Sequence, residues 1–186
     1  MLFHKAVRDD FVRFFERKDT FTLGFCNGCQ MLAALKSIIP GTEVWPRFVT
    51  NRSEQYEARF VMVEILDSPS VVLKGMTGSF LPIVTAHGEG RAEFVSDAAA
   101  AACSKSGLVS FRYVNRDRSV ATTYPANPGG SPFGITSVTS ADGRVTIMMP
   151  HPERSTRYVQ NSWRPDGVGE WSGWMRLFRN ARAFVG

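Results

Sequence analysis

Gly24-Phe25-Cys26-Asn27-Gly28-Cys29-Gln30 decides how this chain folds. An apolar run at 21–25 leads into it, and apolar residues at helical spacing over 31–39 lead out. A strand therefore runs into a tight, glycine-flanked turn carrying Cys26, and the turn opens a helix. That is the build of a nucleophile elbow with cysteine in place of serine. A thiol at a helix N-terminus loses its proton more readily, because the helix dipole and free N–H groups favour the thiolate. Gly24 is expected to allow close packing before the turn, and Gly28 to let the helix start close beneath it. Far downstream, Met149-Pro150-His151-Pro152-Glu153-Arg154 supplies an imidazole and a carboxylate. Nucleophile, base and orienting acid are then all present, with Glu153 holding one ring nitrogen so that the other faces the thiol.

Working outward, Phe3, Val7, Phe11, Phe14 and Phe15 share one face of a helix over 4–17. A strand is predicted at 21–26 and a second helix over 28–37, stopped by Pro40-Gly41. Further strands are predicted at 56–66 and at 80–86, where Pro82 argues for an edge. A glycine-rich loop, His87-Gly88-Glu89-Gly90-Arg91, follows and reads either as a wall of the site or as an ordinary turn. Asp97 is the expected cap of a helix ending at Gly107, with Cys103 on its surface. Hairpins are predicted for 108–114 with 119–124 and for 134–139 with 144–149, and a last helix for 171–184. Helix–strand–helix followed by hairpins gives one domain, residues 1–186. Its α/β sheet is mixed, parallel at the elbow and antiparallel toward one edge. Cys26 and His151 both fall at strand carboxyl ends, where open α/β sheets place ligands.

Composition narrows the class. The chain has 186 residues, 44% of them hydrophobic, three cysteines, and a formal charge of +5. No apolar run approaches the ~20 residues of a membrane span, and the first residues lack the apolar core of a signal peptide. An odd cysteine count argues against a disulfide scaffold and for a reducing, cytoplasmic setting. The arginines are scattered and form no nucleic-acid stripe. Cys26-x-x-Cys29 also satisfies a redox-pair pattern, and Cys26 as a small buried residue is a third reading. A zinc site would need two more ligands, so no metal is expected. Walker and dinucleotide spacings are absent.

The residues carry a family resemblance. Gly24-Phe25-Cys26-x-Gly28-x-Gln30 with His151-x-Glu153 resembles a class I glutamine amidotransferase. Several further motifs appear in order: Trp45-Pro46-Arg47-Phe48, Glu57-Ala58-Arg59-Phe60, the 87–91 loop, Tyr124-Pro125-Ala126-Asn127-Pro128 and Gly130-Ser131-Pro132. They are followed by Met149–Arg154 and Trp174-Met175-Arg176-x-Phe178-Arg179-Asn180-Ala181-Arg182. Together they resemble the C-terminal amidotransferase domain of the large-type phosphoribosylformylglycinamidine synthases. The resemblance implies a flavodoxin-like open mixed sheet with flanking helices. It implies L-glutamine as substrate, Cys26, His151 and Glu153 as triad, the Asn27 N–H as an oxyanion donor, and Gln30 with His87 at the bound glutamine. Ammonia would pass to a synthetase region of the same enzyme, which holds ATP and Mg and is not in this chain. A regulatory domain that docks a synthetase without catalysis is the alternative.

The resemblance also implies strands and a Gly-Gly-Phe-Ser-Tyr-Gly-Asp-like loop ahead of the first helix, with the second oxyanion donor. Nothing like that loop precedes Cys26 here, so the chain is expected to be partial at its N-terminus. Residues 1–186 alone should then release ammonia from glutamine only weakly, and normal steady-state release by the isolated chain would contradict this.

Overall fold

A computed structural model describes residues 4–186. In chain order the main elements are α1 (Lys5–Glu16), β1 (Thr22–Phe25), α2 (Asn27–Ala34), β2 (Arg47–Val49), β3 (Glu57–Ile65), β4 (Phe80–His87), β5 (Arg91–Glu93), α3 (Asp97–Lys105), β6 (Val109–Val114), β7 (Ile135–Thr139), β8 (Val145–Met148) and α4 (Met175–Phe184). Six strands form one sheet in the order β1-β8-β7-β6-β3-β4. β1 and β8 pair in parallel, and the other neighbours pair antiparallel. This is the mixed α/β sheet that the sequence predicts.

Side-chain alternation along the strands splits the core between the two faces. Val145 and Ile147 of β8 join Phe15 of α1, Cys29 and Leu32 of α2, and Trp45 on one face. Met148 points the other way, to Val61, Val63, Phe111 and Tyr113 and to Trp174 and Leu177 at α4. Burying a side chain of this kind contributes roughly 1.5–3 kcal/mol. Two tryptophans also tie their segments to the sheet by hydrogen bonds. Trp45 Nε1 donates to the Thr139 carbonyl at 2.9 Å, and Trp174 Nε1 to the Pro82 carbonyl at 2.7 Å.

The sheet curls. His151, three residues past β8, donates its N–H to the Val84 carbonyl of β4 at 2.8 Å. The strand at the far end of the order therefore meets the chain leaving β8, and its carboxyl end faces that of β1. Arg144, buried at the start of β8, closes the opposite end. Its guanidinium meets Asp142 at 2.8 Å and donates to the Phe15 carbonyl at 2.8 Å, the Thr20 carbonyl at 3.2 Å and the Arg17 carbonyl.

Several local expectations need correction. Ser96, not Asp97, caps α3, its Oγ accepting from the Ala99 N–H at 3.1 Å. Cys103 is fully buried, because α3 turns it to the core. Residues 119–124 make one bridge, Val114 to Val120, and no strand. The second helix is α-helical only to Ala34, and a 3-10 turn, Lys36–Ile38, continues it. Phe14 is exposed while Phe11 and Phe15 pack inward, and Phe3 lies outside the described residues. The β2–β5 ribbon was not predicted, since three-residue strands are too short to show alternation.

The two elbow glycines differ. A Cβ on Gly24 would sit 2.6 Å from Leu32 Cδ1 and 2.8 Å from the Gly28 carbonyl, so α2 rests directly on it. A Cβ on Gly28 would meet nothing within 4 Å, so that position is not bare for packing. Gly24→Ala should therefore lower the unfolding free energy by about 1–3 kcal/mol in urea titration. Gly28→Ala should stay within about 0.5 kcal/mol of wild type, as an unstrained surface-like change does. Equal losses at both positions would contradict this packing.

Candidate active site

Cys26 occupies the turn between β1 and α2 with φ 49° and ψ −108°. A non-glycine residue avoids this region, and holding it there costs on the order of 1–3 kcal/mol. Three contacts impose it. The Cys26 N–H donates to the Met148 carbonyl at 2.9 Å, extending the β1–β8 ladder by one rung. The Cys26 carbonyl accepts the first turn of α2 from the Gln30 N–H at 3.1 Å. The helix itself is seated on Gly24. The side chain is left half-buried at the carboxyl end of the strand.

His151 reaches the same place from β8. Its Nδ1 lies 2.6 Å from Glu153 Oε1, and the ring is buried. The carboxylate thus fixes Nδ1 as the protonated nitrogen and leaves Nε2, buried and without another partner, for the thiol. The thiol's pKa is lowered, chiefly by hydrogen bonding with His151, against the opposing effect of burial. The charge of His151, the Asn27 N–H and the Arg154 charge add to the lowering. His151 is correspondingly raised to about 9, first by hydrogen bonding with Cys26 and then with Glu153. The contact is nonetheless open: the nearest acceptor for the thiol is the Ala86 carbonyl at 3.8 Å. Such pairs commonly tighten when substrate arrives. Arg154 Nε, 3.6 Å from Glu153 Oε1, adds positive charge at the rim.

The 87–91 loop is a wall of the site, not a remote turn. Ala86 touches Cys26, and Glu89 accepts from Gln30 Nε2 at 2.9 Å. Gln30, one helical turn after Cys26, is therefore beside the nucleophile as expected. His87 is not available to a ligand, which corrects the expectation. Its ring is turned inward, 3.1 Å from Asn51 Oδ1 and 3.5 Å from the Tyr113 hydroxyl. Burial lowers it to about 4, so it is neutral near pH 7. Cys29 is fully buried in the core, and burial raises its thiol well above the ordinary range. A dithiol redox centre needs an accessible, acidified thiol, and Cys29 has neither property.

Among the described residues no group of three or more His, Cys, Asp or Glu is placed to hold a metal ion. No helix there is long and apolar enough to cross a membrane. Sequence reasoning missed Glu89 and Asn51. Glu89 stands in the glycine-rich loop, and its charge between two glycines was the available signal. Asn51 had no signal, because its role depends on contacts distant in sequence.

The arrangement fits thiolate attack on a carbonyl, with proton exchange at one imidazole. Comparisons with known proteins agree with that chemistry. Solved structures give the fold. PurLQS from Thermotoga maritima superposes with a TM-score of 0.57 at 22% identity, covering 88% of this chain and 61% of that one. A putative GMP synthase glutaminase-side protein is not needed to see the fold, yet one putative GMP synthase subunit, from Thermoplasma acidophilum, gives 0.52 at 10% identity, covering 97% and 64%. This chain thus spans less than two thirds of the length of either structure. Residues 1–185 match the CobB/CobQ-like glutamine amidotransferase domain, so the chain belongs to that family.

Proposed function

We propose that this chain is the glutamine-hydrolysing part of a phosphoribosylformylglycinamidine synthase. The observation that carries the chemistry is the strained Cys26 elbow facing a His151 ring clamped by Glu153 at 2.6 Å. The run of motifs from Trp45-Pro46 to Asn180-Ala181-Arg182 and the fold likeness to PurLQS support the assignment to this synthase.

In this reading the Cys26 thiolate attacks the side-chain carbonyl carbon of L-glutamine. Negative charge moves to the oxygen, where the Asn27 N–H is one donor. Losing such a donor typically costs ~10²–10³ in rate. The His151 imidazolium gives its Nε2 proton to the departing nitrogen, the C–N bond breaks, and ammonia leaves a glutamyl thioester on Cys26. His151, now neutral, takes a proton from water, whose oxygen displaces sulfur and releases glutamate. Glu153 stays ionised and holds the ring. Gln30 and Glu89 line the substrate's other end.

Ammonia is then passed to a synthetase region, where it would convert formylglycinamide ribonucleotide to the amidine at the expense of ATP. Mg and ATP do not fit the described residues. The sequence has no phosphate loop and the fold brings together no acidic cluster, so no step here runs through them. The cytoplasm is the setting this role requires.

Two experiments test the reading. A diazo-ketone analogue of glutamine should label wild type and Cys29→Ser at one site, and should not label Cys26→Ser. Labelling lost equally in both variants would favour the redox pair instead. Replacing Glu153 by Gln should slow labelling by about 10-fold or more without altering far-ultraviolet circular dichroism, because the ring loses its orienting charge. An unchanged rate would remove Glu153 from the triad.

A further inference from the structure

We propose that Asn51 is a positioning residue of this site. Its buried carboxamide locks the 86–90 turn, and the turn sets both the Ala86 contact to Cys26 and the Glu89 contact to Gln30. The ligand's identity is taken from the glutaminase reading above; the architecture is independent of it.

Asn51 is 2% exposed, and its side chain uses its full hydrogen-bonding capacity on the turn and its neighbour. Nδ2 donates to the His87 carbonyl at 2.7 Å and to the Gln55 carbonyl at 3.0 Å. Oδ1 accepts from the Gly90 N–H at 2.9 Å and from His87 Nδ1 at 3.1 Å. The Asn51 N–H adds a bond to the Gly88 carbonyl at 2.8 Å. Aspartate in its place would face two carbonyls with no donor, and an apolar residue would orphan all four groups, at about 1–3 kcal/mol each. The turn is also closed sterically. A Cβ on Gly90 would lie 2.1 Å from His87 Cε1, so the imidazole is folded directly beneath Gly90.

A second buried carboxamide stands behind the first and gives the Tyr124–Pro132 motif a purpose that the chemistry leaves open. Asn127 Nδ2 donates to the Ala121 and Ser131 carbonyls at 3.0 and 2.8 Å. Its Oδ1 accepts from the Gly130 and Ser131 N–H groups, both at 3.0 Å. The segment so fixed backs onto the turn. Gly129 lies where a Cβ would be 3.1 Å from the Gly90 carbonyl carbon, and Ser131 Oγ accepts from the Ala92 N–H at 3.0 Å. The two amides act in series, Asn127 bracing the strap and Asn51 the turn. None of these groups faces Cys26 with a proton to give, so the brace shapes the pocket for its ligand and leaves the reactivity of the thiol alone.

The test uses the whole chain with Asn51→Ala, Glu89→Ala and the double variant. Three quantities are read. They are the concentration of diazo-ketone glutamine analogue that half-saturates Cys26 labelling, the rate of Cys26 alkylation by iodoacetamide, and the NMR titration of His87, one of three histidines. Asn51→Ala should raise the half-saturating concentration roughly tenfold and leave alkylation within about twofold, since binding is lost and thiol activation is not. His87 should take up its proton at a higher pH than about 4, moving toward 6.5 as the ring is released. Glu89→Ala changes an exposed residue that cannot unfold the core, and should raise the same concentration. The double variant should be no worse than Asn51→Ala, because both act through one contact. Asn51→Ala labelling at the wild-type concentration, or adding fully to Glu89→Ala, would overturn the proposal. If iodoacetamide alkylates wild-type Cys26 but the analogue does not label it, the glutaminase reading fails. The His87 titration then decides the positioning role, and an unmoved His87 in Asn51→Ala sinks it.

Discussion

The parallel pairing of β1 with β8 is the constraint on which the site depends. Its register sets Phe25 opposite Met148, and its last rung joins the Cys26 N–H to the Met148 carbonyl. From that rung Cys26 turns into α2 and, three residues past Met148, His151 bridges to β4. A slip of one residue would send Ile147 and Met148 to the wrong faces of the sheet and carry His151 with them. The packing of Ile147 beneath α2 and of Met148 beneath α4 therefore fixes the distance between nucleophile and base.

Two forces meet at Cys26. The backbone is held in a conformation that costs free energy, and the seating of α2 on Gly24 with burial of Leu32 and Cys29 offsets it. The thiol is half-buried, which alone would raise its pKa, yet the hydrogen bond and charge of His151 outweigh burial. Cys29, three residues later, experiences burial without that compensation and is pushed the opposite way. The difference between the two cysteines is thus one of partner, not of sequence motif.

The parts of the fold that the sequence made legible are those encoded locally. Strand–turn–helix around Cys26 follows from glycine spacing and apolar runs, and Pro82 marked β4 as an edge. The triad was readable because His151-x-Glu153 is a short-range pair placed just after a strand. What stayed hidden is set by contacts far apart in the chain. His87 looked like a ligand to substrate because it stands in a glycine-rich loop, and only Asn51 and Tyr113, 36 and 26 residues away, turn it inward. Cys103 looked exposed on an alanine-rich helix whose weak amphipathicity gave no side to choose, and the core chose it. The 119–124 segment has strand-like residues, but past the single Val120 bridge its backbone groups serve the Asn127-braced loop.

The most direct measurement of the β1–β8 coupling is the thiolate absorbance of Cys26 as a function of pH, in wild type and in His151→Gln. Cys29 and Cys103 are raised by burial, Cys103 to about 11, so they stay silent across the useful range. In wild type the thiolate should form well below the ordinary thiol range and persist as one half of an ion pair while His151 keeps its proton, up to about 9. In His151→Gln the partner is gone and burial remains, so the midpoint should move up to the ordinary thiol value or beyond it. A wild-type midpoint in the ordinary range, unmoved by the substitution, would contradict the coupling of Cys26 to His151.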